Sequence, residues 1–240
     1  MNRVKDKVAI VTGGSLGIGR SACILLAKEG AKVAVTDILD AEGKALIEEI
    51  KAMGLIAEFW HLDTSNEANV KEALSGINEK FGGIDILVNN AGIYLPGSAY
   101  DENEGVLETL MEVNVYGAYH LTRLLLPKMI KVNPSTGSGG HIFNICSIAS
   151  LNAYPNGGAY GISKFALYGF SKNLREEMKP YGIKVTHVLP GAAYTDSWSG
   201  IDPKRIMEAA DVGRMVYAAA QLSPQACVEE IILRPQLGDL

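Results

Sequence analysis

Three cysteines in 240 residues are too few, and odd in number, for a disulfide framework. Cys23, Cys146 and Cys227 are widely spaced among apolar neighbours, the setting of buried thiols in a reducing cytosol; only Cys146, beside Ser147, has any claim to reactivity. Histidine is equally scarce. The four, at 61, 120, 141 and 187, have no ligand spacing, so no protein-bound metal is expected. No apolar run approaches the length of a membrane span, and the opening MNRVKDKVAIVTGG runs directly into a strand and a glycine turn, unlike a secretory signal. The expectation is a cytoplasmic protein. An excess of positive charge is missing too: 22 Lys and Arg against 27 Asp and Glu leave a net −5, so neither nucleic acid nor a membrane is expected as partner. There is no internal repeat and no shift of composition that would mark a domain boundary.

What is present is a globular balance, 48% hydrophobic and 20% charged, enough to bury a sizeable core. Residues 7–12 (KVAIVT) are a short β-branched run suited to a strand buried on both faces of a parallel sheet. Residues 13–19 then open a helix (SACILLAKEG) that Gly30 closes, and a second strand (AKVAVTD) follows. Strand, glycine turn, helix, strand is a βαβ unit whose turn can bind phosphate at a helix N-terminus. Later apolar runs, IAEFWHL, IDILVNN, HIFNICS, GIKVTHVLP and CVEEIILRP, alternate with helical stretches, including one over residues 102–130 that contains Asn114. The spacing predicts an α/β chain: a single domain with a doubly wound, Rossmann-type, mostly parallel seven-stranded sheet and helices on both faces.

Three motifs overlap in the glycine turn. Residues 17–22 fit the dinucleotide form G-x-G-x-x-A, with Asp37 twenty residues after Gly17. Residues 14–21 approach the nucleoside-triphosphate loop but place Arg20 where a lysine belongs. Residues 13–17 match the hydrolase elbow G-x-S-x-G, yet too little chain precedes Ser15 to build the sheet an elbow needs. A hydrolase or phosphotransferase is therefore a minor alternative. Asp37 ends the second strand, where a carboxylate can accept from both ribose hydroxyls and repel a 2′-phosphate; it can equally cap the next helix. No Lys or Arg occupies 13–19 or 38–39, which favours NAD(H) and leaves NADP(H) open.

The stretch from 144 to 164, NICSIASLNAYPNGGAYGISK, carries the chemistry. Residues 156–158 (NGG) read as the turn before a helix, which puts Tyr160 and Lys164 on one helical face. Ser147, at the end of its apolar run, lies thirteen residues before Tyr160. A phenol, an ammonium and a hydroxyl gathered this way can move a proton on and off a carbonyl oxygen.

With Thr12-Gly-x-x-x-Gly-x-Gly19, Asn90-Ala91-Gly92 and Pro190-Gly191-Ala-Ala-Tyr-Thr195, this segment resembles the short-chain dehydrogenases/reductases over most of the chain. The resemblance implies a cofactor half at about 1–140 and a catalytic and substrate half at about 141–240. It implies nucleotide contacts from Gly13, Ser15, Leu16, Gly17, Ile18, Gly19, Asp37, Asp63, Thr64, Asn90, Ala91, Gly92, Pro190, Gly191, Ala193 and Thr195, as well as from Tyr160 and Lys164. Asp63 would meet the adenine amino group, or serve only as a turn residue. Ala193 replaces the usual valine at a position where the backbone makes the contact. The resemblance also implies Ser147 holding the substrate oxygen, Tyr160 as general acid/base, Lys164 on the nicotinamide ribose and Asn114 anchoring a relay water. A free tyrosine titrates near ~10, and lowering that toward ~7 takes roughly 4 kcal/mol of preference for the phenolate. Lys164 and a positive nicotinamide ring are the expected source.

The implied activity is a hydride transfer between NAD(P) and a small-molecule secondary alcohol or its ketone. The alternatives are an NADPH-dependent 3-oxoacyl or other carbonyl reductase and, further off, a dinucleotide sensor without catalysis. Tyr94, Tyr154 and Trp198 are the residues expected near the substrate, although core or surface packing accounts for each of them equally well. The segment 194–205 is short for a covering loop, and the ending RPQLGDL lacks the Val-Asp-Gly-Gly of the acyl-carrier-protein reductases. Helical surfaces around 103–130 and 157–179 correspond to the family's dimer-forming pair, so a homodimer or homotetramer is expected. Residues 133–140 (NPSTGSGG) read as a flexible turn at the sheet edge.

Overall fold

A computed structural model describes residues 2–132, 139–195 and 200–239. The VAIVT run is β1 (Val8–Thr12), buried at every position, and the glycine turn leads into α1 (Gly17–Lys28). Then come β2 (Lys32–Asp37), α2 (Asp40–Ala52), β3 (Ala57–His61), α3 (Glu67–Phe81) and β4 (Ile86–Asn89). Asn66 caps α3 by accepting from the Asn69 N–H, and Gly82, in the left-handed region, ends it. In the second half, α4 (Val106–Met111) passes through a π-helical turn (Glu112–Tyr116) into α5 (Gly117–Val132). It is followed by β5 (His141–Ile145), α6 (Gly158–Met178), β6 (Lys184–Pro190), short β7 (Ala193–Tyr194) and β8 (Met207–Glu208), α7 (Ala209–Ala220) and β9 (Glu230–Leu233).

Seven of these strands form one sheet in the order β3-β2-β1-β4-β5-β6-β9, every pairing parallel, while β7 and β8 pair apart from it. The sheet is thus wholly parallel. Successive strand residues point to opposite faces, and the core divides accordingly. Ala9, Val11, Val33, Val35, Val88 and Phe143 pack with Leu26, Leu46 and Val216 of α1, α2 and α7. Ile10, Ala34, Leu87, Ile142 and Val185 pack with Ile77, Leu125 and Leu174 of α3, α5 and α6. Strand order reverses between β1 and β4, so their carboxyl ends open the crevice where such sheets bind ligands.

Two local expectations differ. The helix expected from Glu102 begins at Val106, because Gly105 takes φ +85 and breaks the run. Ser147 lies just past its strand, which stops at Ile145, and caps a 3₁₀ turn (Ile148–Ser150). Of the expected turn at 133–140, residues 133–138 lie outside the described residues.

Candidate active site

The glycine turn and the β4 turn are tied together at the crevice. Thr12 Oγ1 accepts the N–H groups of Asn90 and Ala91, each at 3.0 Å, and Asn90 Nδ2 returns two bonds of 2.9 Å to the carbonyls of Thr12 and Gly13. Gly19 must be glycine in this clamp: a Cβ there would lie 2.0 Å from the Gly13 carbonyl oxygen. Gly17, at φ +53, sits beneath Thr195, whose Cγ2 would be 2.8 Å from an added Cβ. The first and last of the motifs therefore meet. Between them β6 ends at Pro190, the Gly191 N–H donates to Leu233 O at 2.7 Å, and Ala193 is buried in β7.

Asp37, 8% exposed, accepts from the Ser15 N–H at 3.0 Å and from the Leu39 N–H at 3.2 Å. It therefore braces the turn and the approach to α2 from the end of β2. Arg20 pairs with Glu49 of α2. Asp63 is drawn into its own turn, where Oδ1 accepts from the N–H and the hydroxyl of Ser65. Thr64 is buried, and its Oγ1 would lie 2.5 Å from a Cβ on Gly117. Leu16 is exposed at the mouth of the turn and Ile18 packs on the core.

Whether these residues suit a dinucleotide is answered by one atom and one cradle. Ser15 Oγ is buried and, among the described residues, has no hydrogen-bond partner, as expected of a donor awaiting a phosphate oxygen. Gly13 and Gly17 hold positive φ and keep the turn bare of side chains. The residues fit.

Tyr160 and Lys164 stand one turn apart on α6, with Lys164 Nζ 5.8 Å from the Tyr160 ring centroid. Lys164 is 6% exposed and donates to Ile145 O at 3.2 Å. Ser150 Oγ accepts from the Ser147 N–H at 3.3 Å and donates to Lys164 O at 2.8 Å, which ties the serine turn to α6. Ser147 Oγ accepts the Ala149 N–H at 3.1 Å, so its own proton is left to donate. Asn114 lies in the π turn, where the regular helical ladder is interrupted. Its side chain accepts from Ile93 N at 2.8 Å and donates to Ile93 O at 3.1 Å and Ser163 Oγ at 3.0 Å. Ser163 in turn donates to Tyr160 O at 2.8 Å. A Cβ on Gly92 would be 3.0 Å from Asn114 Oδ1 and 3.5 Å from Lys164 Nζ. Four separate stretches of sequence thus converge.

The sequence-level family model for short chain dehydrogenases matches residues 7–206. The chain belongs to that family. It is a nicotinamide-dinucleotide-dependent oxidoreductase interconverting a CH–OH group and a carbonyl. Trans-4-hydroxycyclohexanecarboxylate dehydrogenase of Sinomonas cyclohexanicum is 35% identical, over 83% of this chain and 77% of that protein. Cyclopentanol dehydrogenase of Comamonas testosteroni is 36% identical, over 81% of this chain and 74% of that protein. A metagenomic short-chain oxidoreductase, solved in complex with NADP, is similar at TM-score 0.85 and 30% identity, covering 98% of this chain and 99% of that one. The relatives do not favour the alternative of a 3-oxoacyl reductase.

In this short-chain dehydrogenase the surroundings of Tyr160 are aromatic. Tyr94 meets Tyr160 edge to face at 4.8 Å, and a hydrogen bond joins the phenols of Tyr94 and Tyr154. Burial raises both phenols; Tyr160 adds to the rise at Tyr94 while the Tyr154 hydrogen bond opposes it, and both neighbouring tyrosines add to the rise at Tyr154, so both phenols stay protonated. Trp198 lies outside the described residues. Cys146 is inert, since burial pushes its thiol up to about 12. Among the described residues no helix is long and apolar enough to cross a membrane. Sequence reasoning missed Ser150, Ser163 and Glu102. The first two follow Ser147 and Tyr160 by three residues, a spacing that brings side chains onto nearby backbone, and this was the available signal.

Proposed function

We propose that this dehydrogenase oxidises a cyclic secondary alcohol with NAD⁺, using Tyr160 as the proton-transferring group. The observation that carries the reading is the convergence of Gly92, Asn114 and Lys164 beside the Tyr160 ring, with the Ser147 turn tied to the same helix through Ser150. Gly13, Ser15, Leu16, Gly17, Ile18, Gly19, Asn90, Ala91, Gly92, Pro190, Gly191, Ala193 and Thr195 would hold the dinucleotide along the crevice, with Asp63 and Thr64 at its adenine side. When bound, the nicotinamide accepts or returns the hydride. Ser147 Oγ donates to the substrate oxygen and fixes its position. Tyr160 Oη takes the alcohol proton, or gives it back in the reverse direction. Lys164 supplies the positive charge that offsets the negative charge left on the phenol oxygen. The Asn114 side chain is committed to Ile93 and Ser163, so the group it offers a relay water is its main-chain carbonyl in the π turn.

Asp37 and the pairing of Arg20 with Glu49 favour NAD(H) over NADP(H), although the NADP-bound structural relative keeps NADP(H) in view. The names of the two cyclic-alcohol relatives, together with the tyrosines at 94 and 154, support a cyclic substrate. We read the chain as one cytoplasmic domain. Ile162 and Phe165 on α6, with Leu107, Tyr116 and Tyr119 on the α4–α5 segment, leave apolar area exposed that a homodimer, or a homotetramer built from it, would cover. Tyr160→Phe tests the reading. Turnover of cyclohexanol and cyclopentanol should fall at least a thousandfold while NADH titration by nicotinamide fluorescence stays unchanged; retained turnover would remove Tyr160 from the reaction.

A further inference from the structure

The carboxylate of Glu102 reaches the start of the helix that carries Tyr160 and Lys164. Both of its oxygens lie 3.0 Å from the Ala159 N–H. The helix supplies nothing comparable itself, since its N-cap, Gly157, makes no side-chain bond and its first turn holds no acid. Glu102 therefore satisfies one of the unpaired N-terminal donors from 57 residues upstream and sets a negative charge at the positive end of the helix dipole. Space is left for it by glycines. A Cβ on Gly158, at φ +29, would lie 2.2 Å from Glu102 Oε1, and one on Gly97 would lie 2.6 Å from its Cγ. A second stitch runs from the Gly97 N–H to Asn156 O at 3.1 Å. The loop so fastened begins with Tyr94, whose ring lies edge-on against Tyr160.

We propose that Glu102 is a positioning residue for the dehydrogenase reaction. Through the Ala159 amide it fixes the first turn of α6, one residue before Tyr160, and through its own loop it holds Tyr94 against the Tyr160 ring. It touches neither of the groups that exchange the proton. Tyr160 would otherwise ride on a helix end that frays, and the wall beside it would be a free loop. The proposal rests on the reading of Tyr160 given above.

The test uses the full chain as Glu102→Ala and Glu102→Gln, with cyclopentanol as probe alcohol, NADH titration, and hydrogen exchange followed by mass spectrometry. For the alanine variant, exchange should quicken together in segments 93–105 and 154–166, and kcat should fall about tenfold or more with NADH affinity within twofold of wild type. The glutamine variant keeps an acceptor oxygen and should recover most of both. A kcat within twofold of wild type in the alanine variant would overturn the proposal. So would unchanged exchange at 154–166, or NADH affinity falling in step with kcat, the mark of general destabilisation. Absence of turnover in the wild-type chain would count against the dehydrogenase reading instead, and the exchange measurement would still decide whether Glu102 fixes the helix start.

Discussion

Thr12 gives its hydroxyl oxygen to two backbone donors at once, the N–H groups of Asn90 and Ala91. One side chain thereby joins the two turns that flank the crevice. Thr12→Val keeps the shape and removes the acceptor, leaving two amides short of a partner at a residue only 2% exposed. Stability should drop by about 2 kcal/mol. For a chain of this size that is a thermal midpoint lower by roughly 4–8 °C, and NADH affinity should weaken with it. Thr12→Ser, measured in the same melts, should stay near wild type.

Asp37 braces the Ser15 and Leu39 amides and is also the proposed reader of the ribose. Asp37→Asn keeps one acceptor oxygen and removes the charge. Paired fluorescence titrations should show NADH binding weakened about tenfold and NADPH binding improved. An unchanged ratio of the two would leave Asp37 with the bracing role alone.

His141 is buried, stacks on Phe143 at 3.9 Å and bonds Thr186 Oγ1 at 2.7 Å through Nε2. The Thr186 hydroxyl donates onward to Val228 O, so the ring is the donor in the first bond. Burial, helped by the charges of Lys184 and Arg175, lowers its pKa to about 3. The unfolded chain therefore binds a proton that the folded one refuses between about pH 6.5 and 3. Over that window this group removes stability as pH falls, at about 1.4 kcal/mol per pH unit. Burial lowers His187 as well and adds in the same direction. Melts of His141→Gln between pH 7 and 4 should be less pH-dependent than wild type; an equal slope would place the acid sensitivity elsewhere.

Phe165 and Ile162 project from α6 with about half of their surface exposed. If that face is the contact between copies, Phe165→Glu should convert the assembly to monomers in sedimentation velocity while the far-ultraviolet spectrum is retained. A variant that sediments like the wild type would move the interface to another surface.

Legibility in the sequence followed periodicity. The buried strands were readable because β-branched runs such as VAIVT have few other uses, and Tyr160 and Lys164 because a spacing of four residues means one helical face. Asp37, Asn90 and Thr195, which the structure gathers around the glycine turn, stood out through short motifs next to strand ends. Glu102 was hidden by its neighbourhood, because polar residues ahead of an apolar helical stretch read as its first turn until Gly105 adopts φ +85. The π turn around Asn114 left no mark, since one additional residue in a helical turn changes no composition. Ser150 and Ser163 left only their three-residue spacing from Ser147 and Tyr160 as a signal. Their partners, Ser147 N, Lys164 O, Tyr160 O and the Asn114 amide, are mostly main-chain groups, which carry no residue identity.

The seat of Thr195 over Gly17 has a consequence for how the protein is made. During synthesis the glycine turn emerges early, but the residue that roofs it arrives only after most of the chain has left the ribosome. Early segments must wait for a distant partner, the situation in which folding is slow and apolar surface stays open.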